Sequence, residues 1–255
     1  MARANERAVS RPVCATIDVE DFYDGMAVLG HAVARAPRSE RGLEWLLAAL
    51  EAQPTSPKVT FFAVGTVAPS VSDVLRGFAA HGHEIASHGA DHGRLPESGV
   101  VDWLRAGREA LEDLVQVPVR GFRSPRFDVP PGSDLARYRD QLAEAGYAYV
   151  SDAARLGEGS PVREAPVLNW HGLRLGGGSY QRLLPWPAVA AVTQQGSGPA
   201  VLYYHSYDFD GTVPGLGSVR SVALARQLVG RDRISSMFLR LTRRFGSVRC
   251  DDIAA

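Results

Sequence analysis

Val13-Cys14-Ala15-Thr16-Ile17-Asp18-Val19-Glu20-Asp21 opens the ordered part of the chain and sets the frame for the rest. Its first seven residues form a β-branched run that reads as a buried strand. Three carboxylates follow within four positions, where α/β barrels place their catalytic groups, at the C-terminal end of a strand. Working outward, short apolar runs alternate with longer amphipathic ones. Residues 41–51 carry Leu43, Leu46, Leu47 and Leu50 at helical spacing, and residues 58–64 (KVTFFAV) read as a second strand. A helix is expected over 71–80, a short strand over 83–86, a helix over 103–115 and a strand over 119–122. A further helix over 134–145 stops at Gly146, the usual left-handed terminator, before a strand over 147–150. Alternation of this kind predicts parallel strands with helical crossovers. An α/β barrel, incomplete for this length, fits best, and a doubly wound open sheet is the alternative.

The second half is less regular. Residues 168–175 (LNWHGLRL) read as a hairpin, and Gly176, Gly177 and Gly178 as a flexible bend that permits close backbone approach. A helix follows Trp186 to about residue 195, then a buried strand over 200–204 (AVLYY). A cationic amphipathic helix spans 234–245, and 247–253 reads as a final strand. With no internal repeat or linker, residues 13–255 are expected to form a single domain behind a disordered segment of twelve residues.

The 255 residues carry 28 Lys+Arg against 28 Asp+Glu, so no basic excess points to a nucleic-acid partner. No stretch approaches the roughly 18 apolar residues of a membrane span. The first twelve residues are polar, with three arginines and no apolar run, which predicts a cytoplasmic location. Cys14 and Cys250, near opposite ends, make no disulfide framework and suit a reduced interior.

Four constellations carry chemistry. In Gly82-His-Glu-Ile-Ala-Ser-His-Gly-Ala-Asp-His92, His88 and His92 are four apart and can share a metal. His83-Glu84 suggests the protease motif HExxH, but the next histidine comes one position too late, so His81 and His83 are read as structural. In the acidic stretch, Asp18 and Glu20 share a face if the strand continues, whereas Asp21 is reached if the chain turns. Arg123, in GFRSPRF, can orient a carboxylate through paired hydrogen bonds. His205 closes the strand LYYH. Each alone has an ordinary structural reading, yet all four sit at the predicted C-terminal ends of different strands.

Taken in order, the acidic first motif, Thr60-Phe61-Phe62, GHEIASHGADH, the Arg-Ser-Pro motif and the Leu-x-x-His ending at His205 resemble the polysaccharide deacetylase family. This is carbohydrate esterase family 4, or the NodB-homology domain. The details Asp18-Val-Glu-Asp-Phe22, GFRSP and GGGSYQRLLPW are most similar to the branch associated with exopolysaccharide and exosortase loci. The resemblance implies a distorted (β/α) TIM-like barrel with fewer than eight full βα units. It also implies a divalent metal, Zn²⁺ with Co²⁺ or Ni²⁺ as alternatives, and an N-acetylated sugar as substrate. The family's first motif has two adjacent aspartates, a base and a metal ligand. Here Val19 follows Asp18, so the resemblance makes Asp18 the base and leaves Glu20 or Asp21 as third ligand beside His88 and His92. Arg123 would hold Asp18, and His205 would protonate the leaving amine. A backbone N–H beside Arg126 or Phe127 would stabilise the oxyanion, with Arg126 and Phe127 also lining the substrate site. The fourth motif is weak, leaving Asp152 and Trp170 or Trp186 as candidates for lining the pocket or tuning His205. The expected reaction is hydrolysis of an N-acetyl group to acetate and a free amine. The alternatives are a deformylase, a cyclic-amide hydrolase or a non-catalytic sugar-binding barrel.

Overall fold

A computed structural model describes residues 11–28, 30, 39–130, 134–153, 159–211 and 228–254. The expected disordered segment lies almost wholly outside these. The strands are β1 (Val13–Val19), β2 (Thr60–Ala63), β3 (Glu84–Ser87), β4 (Gly121–Phe122), β5 (Tyr149–Val150), β6 (Arg163–Glu164) and β7 (Ala200–His205). The main helices are α1 (Phe22–Val28), α2 (Ser39–Glu51), α3 (Ser72–Ala80), α4 (Val100–Val115), α5 (Asp134–Glu144), α6 (Gly178–Gln181), α7 (Trp186–Thr193) and α8 (Ile234–Phe245).

All seven strands join one sheet in the order β6-β5-β4-β3-β2-β1-β7, and every pairing is parallel. Each strand from β2 to β6 lies beside its predecessor, which is the winding of a barrel. A doubly wound sheet would reverse its order midway. The sheet curls into a half-barrel with helices packed outside it. Beyond β6 the chain returns to β7, where Val167 bridges Val201 and Gly177 bridges Tyr203. Glycine is required at that contact: a Cβ on Gly177 would meet the Tyr203 ring at 2.6 Å. The expected flexible bend is thus a packed approach, and α6 starts within it.

The period of two along each strand sorts side chains between two apolar layers. Val13, Ala15, Ile17 and Val19 face outward into the larger layer with Phe61, Ile85, Leu104, Leu202 and Phe238. The alternate residues face the concave side, where Cys14, Phe62, Ala86, Tyr149, Val201 and Cys250 form a smaller cluster. The concave side therefore also receives Asp18 from β1 and His205 from β7, which are direct register partners.

Three local expectations change. α1 and β6 were not legible, being seven and two residues long. The hairpin at 168–175 contracts to one bridge, Trp170 with Leu173, around His171 and Gly172, whose φ values of 48° and 84° suit a two-residue turn. The final strand shrinks to a bridge between Ser247 and Val13, because the chain then turns under the barrel. There the Cys250 N–H donates to Thr60 Oγ1 at 2.8 Å, and the Asp251 N–H to Glu84 at 3.2 Å.

That turn brings together cysteines 236 positions apart. Cys14 and Cys250 are both buried, with their sulfurs 3.2 Å apart. Refolding with oxidised glutathione should join them, two electrons and two protons passing to the glutathione disulfide. Closing so long a loop should raise unfolding stability by about 2–4 kcal/mol. Intact mass would show the loss of two hydrogens, and Cys250→Ser should abolish both changes.

Candidate active site

The C-terminal ends of β1, β3, β4 and β7 converge on a cleft of about 550 Å³ lined by Asp18, Glu20, His88, His92, Arg126, Phe127 and His205, among others. Strand geometry explains the convergence. Residues 18 and 20, 84, 86 and 88, and 201, 203 and 205 continue the inward-facing alternation of their strands. Arg123 follows outward-facing Phe122 and so turns inward. His92 is brought back by the turn at Gly89, whose φ of +84° disfavours any side chain, and a Cβ there would meet Trp103 at 2.5 Å.

Glu20, His88 and His92 each present one ligand atom, all within 4.8 Å of one another. His92 Nε2 lies 2.5 Å from Glu20 Oε2. His88 Nδ1 is 2.9 Å from the Arg123 carbonyl, which fixes the proton on Nδ1 and leaves Nε2 as an acceptor. Burial lowers the His88 pKa to about 4, so the ring is neutral, as a ligand must be. Burial works against the charge on Glu20, but His92, His205 and His88 outweigh it and hold the carboxyl at about 2. Two imidazoles, one of them oriented by a backbone carbonyl, and an ionised carboxylate form a group that could hold a divalent ion.

Asp21 goes elsewhere. Its carboxylate accepts the Asp24 N–H at 3.0 Å, and Asp24 returns a carboxylate oxygen to the Asp21 N–H at 3.2 Å, so the pair caps α1.

Arg123 is fully buried beside Asp18. Nη1 donates to Asp18 Oδ1 at 2.6 Å and to Thr16 Oγ1 at 2.7 Å. Nε and Nη2 reach the carbonyl and hydroxyl of Ser151 at 2.9 and 2.8 Å, and the guanidinium stacks 4.1 Å from the Phe62 ring. Across the cleft, His205 Nδ1 donates to Asp208 Oδ2 at 3.3 Å, and Nε2 lies 3.7 Å from Glu20 Oε1. Burial opposes protonation of His205. Its hydrogen bond to Asp208 and the charges of Glu20 and Asp208 prevail, raising the pKa to about 9.

Arg126 and Phe127 line the cleft, both at positive φ, 62° and 56°. Such backbone is costly for non-glycine residues and clusters at functional sites. Trp170 and Trp186 do not line it. Trp170 sits on the small hairpin, partly exposed, and Trp186 stacks on Phe245 of α8 with Arg240 over its ring. Asp152 is likewise displaced from the role of tuning His205: it accepts the Ser124 N–H and hydroxyl at 2.9 and 3.1 Å. Asp208 stands beside His205 instead, and the spacing His205-Ser-Tyr-Asp208 is a capping-box pattern that could have revealed it. Arg174, Tyr203 and Tyr207 also line the cleft, and no sequence motif announced them. His83 is structural, its Nδ1 accepting the Val59 N–H at 3.2 Å. His81 pairs with Glu51 at the surface.

The parallel α/β half-barrel thus brings a His–His–carboxylate group and a shielded Asp–Arg pair together at its strand ends. Among known families, residues 44–150 match the family model described as polysaccharide deacetylase, and residues 142–255 match a domain of unknown function, DUF3473. Among solved structures, a Mycobacterium smegmatis protein described as a candidate polysaccharide deacetylase superposes with a TM-score of 0.62 at 22% identity, over 98% of this chain and 92% of that one. Puue allantoinase gives 0.57 at 17% identity, over 96% and 90%. A family 4 carbohydrate esterase pseudoenzyme from Bacillus anthracis gives 0.51 at 12% identity, over 94% and 63%. These three likenesses establish the fold. No helix among the described residues is long and apolar enough to cross a membrane.

Proposed function

We propose that this chain is a metal-dependent N-deacetylase of amino sugars in the polysaccharide deacetylase family. The observation that carries the reading is the meeting of Glu20, His88 and His92 with the Asp18–Arg123 pair and His205 in one cleft. Glu20, rather than Asp21, would be the third ligand, because it shares the inward face of β1 with Asp18. The inserted Val19 thus preserves a base and a ligand side by side.

The ion we propose is Zn²⁺, with Co²⁺ or Ni²⁺ as substitutes; bound there, it would polarise the acyl carbonyl and lower the pKa of water. Arg123 fixes Asp18 through Oδ1, leaving Oδ2 to take the proton from the attacking water. The Phe127 N–H is spent on the Ser124 carbonyl at 3.0 Å, which leaves the Arg126 N–H for the developing oxyanion. His205, protonated at neutral pH, then gives its Nε2 proton to the leaving amine. Acetate and a free amino sugar are the products. The DUF3473 match and the motif details support the exopolysaccharide-associated branch.

The deciding experiment is a screen for acetate release across N-acetyl sugars with added Zn²⁺, Co²⁺ and Ni²⁺. Formate or a ring-opened amide as the product would replace the deacetylase reading. Bound metal with no product from any substrate would favour a non-catalytic barrel.

If His205 is the acid, activity falls as pH rises through its pKa, about 9 in this setting. Asp208→Asn removes a negative charge that raises it and leaves only a weaker, neutral acceptor for Nδ1. The alkaline limb of the kcat profile should therefore move to lower pH, with the acid limb unchanged. An unmoved alkaline limb would remove His205 from that role.

A further inference from the structure

Charge in the cleft is unevenly balanced. Asp18 is matched by Arg123, Glu20 by His92 and His205, and Asp208 by His205. Three further cations line the same cleft, Arg126, Arg174 and Arg182; among the described residues neither Arg126 nor Arg174 has a carboxylate within ion-pair distance. Both are half-buried, and Arg126 Nε is shielded from solvent without a hydrogen-bond partner. An arginine left so is costly unless a ligand completes it.

Their placement is fixed by the fold. Arg126 is held by its positive-φ backbone between Pro125 and Phe127. Arg174 extends from the small hairpin, its guanidinium 5.1 Å from the centre of the Phe127 ring. That ring is braced on another side by Tyr203, 5.0 Å away and nearly perpendicular. Phe127 is thus a fixed aromatic wall with a forked cation over it, next to the second arginine. Arginine forks suit the paired oxygens of phosphate and carboxylate, and stacking on a ring orders the fork in advance.

We propose that the cleft reads an oxyanion, phosphate or carboxylate, carried by the N-acetyl sugar, with Arg174 and Arg126 as its specificity-determining residues. This rests on the reading that the cleft takes an N-acetyl sugar. The substrate is then an acidic saccharide or a sugar phosphate, not a neutral homopolymer.

Calorimetric binding of four probes to the full chain tests it: N-acetylglucosamine 1-phosphate, N-acetylmuramic acid, N-acetylglucosamine and its neutral trisaccharide. One or both acidic probes should bind about tenfold or more tightly than the neutral ones. The phosphate and carboxylate arms identify which oxyanion is read. Arg174→Gln should remove most of that preference without changing neutral-sugar affinity, and Arg174→Lys should restore part of it. Raising salt from about 0.05 to about 0.5 M should compress the preference. Equal affinity for acidic and neutral probes, or an equal loss for all probes in Arg174→Gln, overturns the proposal. A retained anion preference with no acetate from any probe leaves this inference standing and removes the deacetylase reading instead.

Discussion

Asp18→Asn should cut turnover by about 10²–10⁴-fold while the protein stays folded and keeps its metal. The amide is nearly isosteric and can accept the Arg123 Nη1 hydrogen bond that the carboxylate accepts at 2.6 Å. What it cannot do is take a proton from water. Asp18 is not among the grouped ligand atoms, which come from Glu20, His88 and His92. Metal content by elemental analysis should therefore match the parent protein, and KM should change far less than kcat. By contrast, Glu20→Gln should lower metal content itself. If Asp18→Asn retained full activity, the proton would have to go elsewhere and the proposed chemistry would fail.

The second large effect is on stability. Arg123→Met keeps the apolar stem of the side chain but leaves Asp18, 3% exposed, without its cation. Thr16 and Ser151 lose their guanidinium donors in the same step. Removing one partner of a buried pair destabilises by about 3–5 kcal/mol, because the remaining charge is stranded. Denaturant unfolding should show this loss at neutral pH. The double variant Asp18→Leu with Arg123→Met should recover a good part of it, since no charge then remains buried. A double variant as unstable as Arg123→Met would mean that packing, not charge, sets the cost.

Much of this was legible before any coordinates. The runs at 13–19, 58–64 and 200–204 are predominantly apolar with no strict alternation, as strands inside a parallel sheet are, and the intervening leucine-rich segments announce the crossover helices. Of the proposed site residues, Asp18 and Glu20 stand at the end of the first run and His205 at the end of the last, which is what drew attention to them. What stayed hidden depends on long-range packing. β6 is two residues long and carries no periodicity. Trp186 looks like an aromatic wall for a sugar, but its partner Phe245 lies 59 positions away and only the fold brings them together. Proposing Glu20 over Asp21 depends on the alternation of β1 continuing one residue past Val19 before α1 begins, which the sequence leaves open. The nearness of the two free cysteines was not legible, because separation along the chain says nothing about a turn closing under the barrel.

Asp18 and His205 are register partners on adjacent, hydrogen-bonded strands, whereas Arg126, Phe127 and Arg174 stand on a tight turn and a hairpin beyond the sheet. The proposed base and acid therefore belong to the sheet, the tight turn serves both the oxyanion and the substrate, and the hairpin with Arg174 serves the substrate alone. Exchanging that hairpin for one from another barrel would redirect which saccharide is accepted while the backbone ladder keeps base and acid at their spacing. Evolution can try new substrates through the hairpin with the rest of the proposed chemistry left in place.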